Sequence, residues 1–246
     1  MKLALVVGHT ENSPGAYAKN PINEYEYTWN NMLCDKMLVH AQTITGIQTE
    51  KFLRDNVGIV EAYRQARNWG ATASIELHFN SAGPSATGTE MLYVTPVSIP
   101  LAQAVQDATI DTLGLRDRKI KNASTYNYGR GSKNLSQMGR YPSILTEPFF
   151  GSNAKDCAIV NRNINELAIA QIEAAAGVLL GHSLDEDWEV TASALNVRGG
   201  PGTQFERLGW GPLSRGTKVE VLAWEGDWAK IATNQGVAYV YGSFLT

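Results

Sequence analysis

The chain has 246 residues, of which 43% are hydrophobic and 18% are charged, so it can bury one large core or a large and a small one. A net charge of −3 argues against a nucleic-acid-binding protein, and no apolar run approaches the roughly 20 residues of a membrane-spanning helix. Membrane insertion is therefore not expected.

Two cysteines, Cys34 and Cys157, are too few for a disulfide framework and are predicted to be buried free thiols.

The sequence begins with a short apolar run, Leu3–Val7, followed by Gly8 and His9. A signal peptide needs an apolar stretch of about 7–15 residues and a cleavage site of small residues. The run is therefore predicted to be a buried strand, and the chain is expected to carry no secretion signal.

Up to residue 182 the sequence alternates between strand-like and helix-like patterns. Strands interleaved with helices predict an α/β fold with a mostly parallel sheet flanked by helices. The predicted strands are Leu3–Val7, Thr72–Asn80, Thr89–Thr95 and Ser143–Thr146. The first predicted helix has Asn23 as its N-cap, and the other predicted helices are Glu61–Trp69, Ile99–Leu113 and Asp156–Leu180.

The pattern changes after residue 182. Residues 183–187 form a short acidic linker, and beyond it short β-rich runs are separated by glycine turns without any helical stretch. Closely spaced short strands predict a small all-β barrel. We therefore predict two domains, 1–182 and 188–246. The β-rich runs are Val190–Val197, Lys218–Ala223, Trp228–Ala232 and Val237–Tyr241.

Four residues of the first domain occupy positions where α/β proteins carry functional groups. His9, His78 and Glu147 lie at or near the carboxyl ends of predicted strands, and Glu24 begins the first helix. Two imidazoles and a carboxylate can hold a catalytic zinc, and a second carboxylate can act as general base and acid. Taken singly, each residue also fits a plainer role, such as a loop histidine or a glutamate that favours the helix dipole.

These residues stand in sequence motifs that resemble one enzyme family. Residues 1–181 are similar, in the same order, to the zinc-dependent N-acetylmuramoyl-L-alanine amidases, in the branch seen in bacterial autolysins and phage endolysins. The motifs that carry the resemblance are the Gly-His strand end Val6–His9, the acidic helix start Asn23–Tyr27, the His-x-Asn strand Ser74–Ala82 and the closing motif Pro142–Asn153.

The resemblance implies one zinc per chain, held by His9, Glu24 and His78, with Glu147 as the catalytic residue. Glu26 competes with Glu24 for the ligand role. Two residues apart on a helix, their side chains point about 200° away from each other, so only one can be a ligand. The spacing to the following helix favours Glu24.

The sequence departs from the commoner family pattern at Glu76, which places an extra carboxylate on the same face of the strand as His78. Two interpretations stay open. Glu76 could orient the histidine ligand, or it could be a solvated or salt-bridged strand residue.

Residues 188–246 resemble the bacterial SH3 domain. The segment Ala194–Gly202 is close to that family's Leu-Asn-Val-Arg-x-Gly-Pro-Gly signature. The resemblance implies binding to peptidoglycan peptides. Five aromatic residues are candidate binding platforms, of which at least half are expected in the core: Trp210, Trp224, Trp228, Tyr239 and Tyr241.

The expected function is cleavage of the amide between N-acetylmuramic acid and L-alanine in peptidoglycan, most simply by a phage or prophage endolysin. Without a secretion signal, the protein is expected to stay in the cytoplasm of the producing cell until release and then to act on the cell wall. The alternatives are an exported autolysin of the same chemistry, a zinc peptidase that cuts the stem peptide, and an inactive wall-binding protein.

Overall fold

The computed structural model describes residues 1–126, 129, 131–181, 188–233 and 235–245. The predicted linker at 183–187 and the side chain of Trp224 lie outside the described residues. The chain divides into two compact units, Met1–Val94 with Ser98–His182, and Ser183–Thr246 with the short segment Thr95–Val97.

The first unit is an α/β layered structure around one six-stranded sheet of order β2-β1-β3-β6-β4-β5. The first four strands in that order run parallel, and β4 and β5 run antiparallel to them and parallel to each other. The predicted mostly parallel sheet is confirmed. The strands are β1 (Lys2–Val7), β2 (Gln48–Phe52), β3 (Ala73–Leu77), β4 (Thr89–Tyr93), β5 (Asp117–Asn122) and β6 (Ser143–Glu147), and the helices are α1 (Glu26–Ala41), α2 (Gly58–Trp69), α3 (Ile99–Leu113), α4 (Ser132–Leu135), α5 (Ala154–Arg162) and α6 (Ile164–Gly181).

The three central strands place their carboxyl ends at one edge of the sheet. β3 and β6 are buried along their whole length, and β1 is buried from Leu3 onward, as their apolar sequences require. Because β4 runs the other way, it begins at this same edge. Residues that follow β1 and β3, the last residue of β6 and the first residues of β4 therefore meet there.

Two strands, β2 and β5, were not predicted. They are the two outermost strands of the sheet, and their sequences are largely polar. The predicted helix Asp156–Leu180 is two helices, because Asn163 ends α5 with a backbone hydrogen bond from its N–H to the Val160 carbonyl.

Helix α6 is long and apolar enough to cross a membrane by length and composition alone, with a mean hydropathy of 1.3 over 18 residues. Core helices of soluble proteins have the same properties. Its buried residues include Leu167, Ile172 and Leu179, and it packs against α1 and α3. Cys34 and Cys157 are buried free thiols, as predicted.

The second unit is a small β structure whose described core consists of aliphatic side chains. A four-stranded sheet has the order β12-β11-β10-β7, and β8 pairs with β9. The strands are β7 (Trp188–Glu189), β8 (Ala194–Leu195), β9 (Leu213–Ser214), β10 (Lys218–Glu225), β11 (Trp228–Thr233) and β12 (Gly236–Tyr241).

Candidate metal centre

His9 lies two residues after the end of β1, where the backbone of the chain closely contacts β3. The Gly8 N–H donates to the Leu77 carbonyl at 2.9 Å, and His9 has a left-handed φ of 65°. A Cβ on Gly8 would lie 2.4 Å from the Leu77 oxygen and 2.5 Å from Cε1 of His78. Only glycine therefore leaves space for the His78 imidazole beside the first strand.

Glu26 is the first residue of α1, and its carboxylate lies between the two histidines. Oε2 is 3.2 Å from Nε2 of His9, and Oε1 is 2.8 Å from Nδ1 of His78. Oε1 also accepts the backbone N–H of Phe79 at 3.2 Å. The side chain is buried, with 3% of its surface exposed. The helix start thus directs one carboxylate onto both imidazoles.

Gly15 gives this carboxylate room on its other side. A Cβ there would lie 2.8 Å from both Glu26 Oε2 and His9 Cδ2, and Gly15 has a φ of +80°. Both the contact and the backbone conformation require glycine at this position.

His9, Glu26 and His78 form a group able to hold a metal ion. One ligand atom from each lies within 4.8 Å of the others. The imidazole rings meet edge to face with centroids 5.1 Å apart. Two imidazole nitrogens and one carboxylate oxygen are the donor set of catalytic zinc sites, which keep a further position open for water or substrate.

The charges in this group are strongly coupled. Burial alone would raise the pKa of Glu26, but hydrogen bonds and charge attraction from His78 and His9 hold it well below its usual range. Burial alone would lower the pKa of His78, but the carboxylates of Glu26 and Glu76 raise it to about 10. Because a metal ligand must be a neutral imidazole, a bound cation would replace the proton that these carboxylates favour.

The structure places Glu26, not Glu24, with the two histidines, which corrects the predicted ligand. The helix begins two residues later than a start at Glu24 requires, because Asn23 has a left-handed φ of 52° and Tyr25 is the extended N-cap. Glu24 precedes the helix and is half-buried, and its carbonyl accepts the N–H of Ala18 at 2.8 Å.

The sequence contained a signal that favoured Glu26. Trp29, Asn30, Leu33 and Met37 are all buried on α1, and they follow Glu26 by three, four, seven and eleven residues. That is the spacing of one helix face. Extending this face backwards reaches Glu26 and not Glu24.

Glu147, the predicted catalytic residue, lies at the same sheet edge. It ends β6 and is 1% exposed. The backbone N–H of His78 donates to the carbonyl of Thr146 at 3.1 Å, so Glu147 follows directly beside His78 in the sheet. Its catalytic role stays a prediction.

A buried polar network beside Glu147 was not predicted. Glu90, 2% exposed, stands opposite Glu147 in the antiparallel pairing of β4 and β6. It accepts hydrogen bonds from Asn80 Nδ2 at 2.8 Å, Arg118 Nε at 2.7 Å and Lys121 Nζ at 2.8 Å. Burial would raise the pKa of Glu90, but the two cations hold it below its usual range. The signal available in the sequence was a charged residue within the predicted strand Thr89–Thr95.

An irregularity in β5 brings the two cations to the same carboxylate. The register of β4 and β5 shifts between Thr89 and Met91, and Lys119 has a left-handed φ of 71°. Such a bulge reverses the alternation of side chains, so that Arg118 and Lys121 both reach Glu90.

In the second unit, Trp228, Tyr241 and Phe244 border a groove of about 610 Å³. The ring of Tyr241 lies 5.6 Å from that of Trp228 and 6.1 Å from that of Phe244, centroid to centroid. Trp210 packs instead against the apolar core, and the Tyr239 hydroxyl donates to Glu225 at 2.6 Å.

Comparison with known proteins identifies both units. The sequence profile of the N-acetylmuramoyl-L-alanine amidases (Amidase_3) matches residues 3–177. The chain belongs to this amidase family. The profile of the bacterial SH3 domain matches residues 193–246. The two domains together indicate peptidoglycan as the substrate and as the binding partner.

Solved structures share the fold of the amidase domain. An N-acetylmuramoyl-L-alanine amidase from Clostridium difficile 630 is 24% identical with a TM-score of 0.64, over 74% of this chain and 98% of that one. The catalytic domain of CwlV from Bacillus (Paenibacillus) polymyxa is 22% identical with a TM-score of 0.61, over 74% and 100%. The catalytic domain of the CD27L endolysin targeting Clostridia difficile is 17% identical with a TM-score of 0.58, over 72% and 97%. No curated protein matches the chain.

Proposed function

We propose that this amidase depends on one zinc ion, held by His9, Glu26 and His78, and that Glu147 is its general base and acid. The observation that carries the proposal is the meeting of three ligand atoms within 4.8 Å at the sheet edge where β6 ends. Their chemistry fits zinc, which binds imidazole nitrogen and carboxylate oxygen and takes three protein ligands at catalytic sites.

When bound, zinc supplies a Lewis acid that polarises a carbonyl and lowers the pKa of water. The chain's own residues then move the proton. Glu147 accepts a proton from the attacking water and donates it to the nitrogen of L-alanine. The new C–O bond forms at the lactyl carbonyl of N-acetylmuramic acid, and the C–N bond then breaks as the nitrogen takes the proton, so the products are a carboxylic acid and a free amine.

The burial of Glu147 supports this role. Because only 1% of Glu147 is exposed, bulk water competes little with the reacting water molecule for its carboxylate. Its backbone is fixed on both sides by β3 and β4. The backbone that carries the Glu147 carboxylate is therefore held beside His78.

The choice between Glu26 and Glu24 gives the first test. Glu26→Ala should lose stoichiometric zinc, because it removes the carboxylate that faces both imidazoles, whereas Glu24→Ala should retain it. Metal content after gel filtration, measured by atomic emission with circular dichroism as a check on folding, decides the matter. Zinc retained by folded Glu26→Ala and lost by Glu24→Ala would refute the assignment.

We also propose that the protein acts as a phage or prophage endolysin that stays in the producing cell's cytoplasm until the membrane is opened. The pairing of an amidase with a bacterial SH3 domain supports lysis of the wall, and an autolysin of the same chemistry would share this pairing. Fractionation of intact producing cells distinguishes the two. An endolysin is recovered with the cytoplasm, and an autolysin with the wall or the medium.

A further inference from the structure

Glu76 is a fully buried carboxylate that the hydrolytic mechanism above does not use. It lies on β3 two residues before His78, and its exposed surface is 0%. The alternation of a strand puts both side chains on the same face. A charge buried to this extent needs partners, so its contacts indicate what it does.

The partners of Glu76 come from three other parts of the first unit. Oε1 accepts a hydrogen bond from Nδ2 of Asn134 at 2.8 Å and lies 3.4 Å from Nη1 of Arg54. Oε2 accepts a hydrogen bond from the Tyr63 hydroxyl at 3.1 Å. These contacts hold the carboxylate in one orientation. The remaining contact of Oε1, at 3.1 Å, is Nε2 of His78.

His78 is therefore held by a carboxylate at each ring nitrogen. Nδ1 faces Glu26, the neighbour that it shares with His9, and Nε2 faces Glu76. An ionised carboxylate accepts hydrogen bonds and cannot donate them. If a cation were bound between Glu26 and Nδ1, the proton of the neutral imidazole would stand on Nε2, where Glu76 is placed to accept it.

We propose that Glu76 is a positioning residue that fixes the tautomer and ring orientation of His78 for metal binding through Nδ1. The inference rests on the proposed zinc site. Histidine ligands commonly donate their second N–H to a carboxylate, which orients the ring and increases its basicity. Here Tyr63, Asn134 and Arg54 brace that carboxylate, and the absence of a side chain at Gly8 gives the ring the space that it occupies beside β1.

Glu76→Gln in the full chain tests the proposal, because it keeps the shape and removes the charge. Its zinc affinity should fall by about 10–100-fold in competition with a chromophoric chelator. Glu173→Gln is the matched control. It makes the same change of charge at an exposed carboxylate of α6 that pairs with His40, so zinc affinity should stay within about threefold of the wild type.

A ¹⁵N NMR spectrum of the zinc-loaded wild type gives a second readout that needs no variant to fold. The proposal expects a proton on Nε2 of His78 and the metal on Nδ1, and the reverse assignment would overturn it. Unchanged zinc affinity in folded Glu76→Gln would also overturn it. If the wild type bound zinc normally in that case, only this inference would fail, whereas a wild type without zinc affinity would contradict the proposed function as well.

Discussion

Glu147 is the residue that accepts and donates the proton in the proposed mechanism. Glutamine can replace it in its buried position with little change in shape. Glu147→Gln should keep the fold and the zinc, because the amide has nearly the same shape. It should lower turnover of a soluble muropeptide by about 10²–10⁴-fold, because an amide cannot accept the proton of water.

Glu173→Gln serves as the control for this substitution. Glu173 lies on α6 with 60% of its side chain exposed, where it pairs with His40. Its substitution should leave turnover unchanged. Near-normal activity in a zinc-loaded Glu147→Gln protein would mean that another group moves the proton.

At the scale of single residues, the sequence located the histidines better than it located their carboxylate partner. His9 and His78 follow apolar strands, and parallel strands bring their carboxyl ends together, so their meeting was predictable. The choice between Glu24 and Glu26 depended on where α1 begins. That start is set by the backbone of Asn23 and by a β-bridge between Tyr17 and Tyr25, so the spacing of the buried face of α1 was the sequence signal for Glu26.

The packing of β1 against β3 is the contact between elements on which the site depends most. Gly8→Ala would force a methyl group to within 2.5 Å of the His78 ring. We expect a loss of about 1–3 kcal/mol in the free energy of unfolding, as for other overpacked positions, together with weaker zinc binding. Denaturant unfolding and metal titration measure both effects.

Gly177→Ala is the matched substitution for this test. Gly177 lies within α6, and an added Cβ meets no atom within 4 Å. Alanine there should raise stability by about 0.5–1 kcal/mol, because glycine is unfavourable inside a helix. Equal stability of Gly8→Ala and the wild type would show that β1 and β3 leave room for a methyl group at this position.

At the scale of elements, the buried strands were predictable and the edge strands were not. β1, β3 and β6 carry apolar residues because they are covered on both faces. Edge strands need fewer apolar side chains, so Gln48–Phe52 and Asp117–Asn122 read as polar segments. Arg118 and Lys121, which bind Glu90, lie on one of these outermost strands, β5, and for that reason the network was not predicted.

The whole molecule combines a domain for chemistry with a domain for wall binding, and the two roles should be separable. Residues 1–182 alone are expected to fold and to cleave soluble muropeptides at a rate similar to the full chain, since all proposed site residues lie within them. On intact walls they should act more slowly, because a linked binding module can raise overall avidity by about 10²–10⁴-fold.

The decisive quantity is the ratio of wall lysis to soluble-substrate turnover, compared between the full chain and residues 1–182. The ratio should fall on truncation. An unchanged ratio would remove the targeting role from the SH3 domain, and an equal loss on both substrates would make that domain a support for the catalytic fold. The boundary itself stays a prediction, because residues 182–187 lie outside the described part of the chain.

The most direct test of the account is the identity of the bonds cut in purified peptidoglycan, with zinc and after removal of metal by a chelator. Mass analysis should find new L-alanine amino ends and free lactyl carboxylates with the zinc-loaded protein. These products should disappear with the chelator and return when zinc is added back. Full activity of the metal-free protein, or new ends within the stem peptide, would contradict a zinc-dependent amidase.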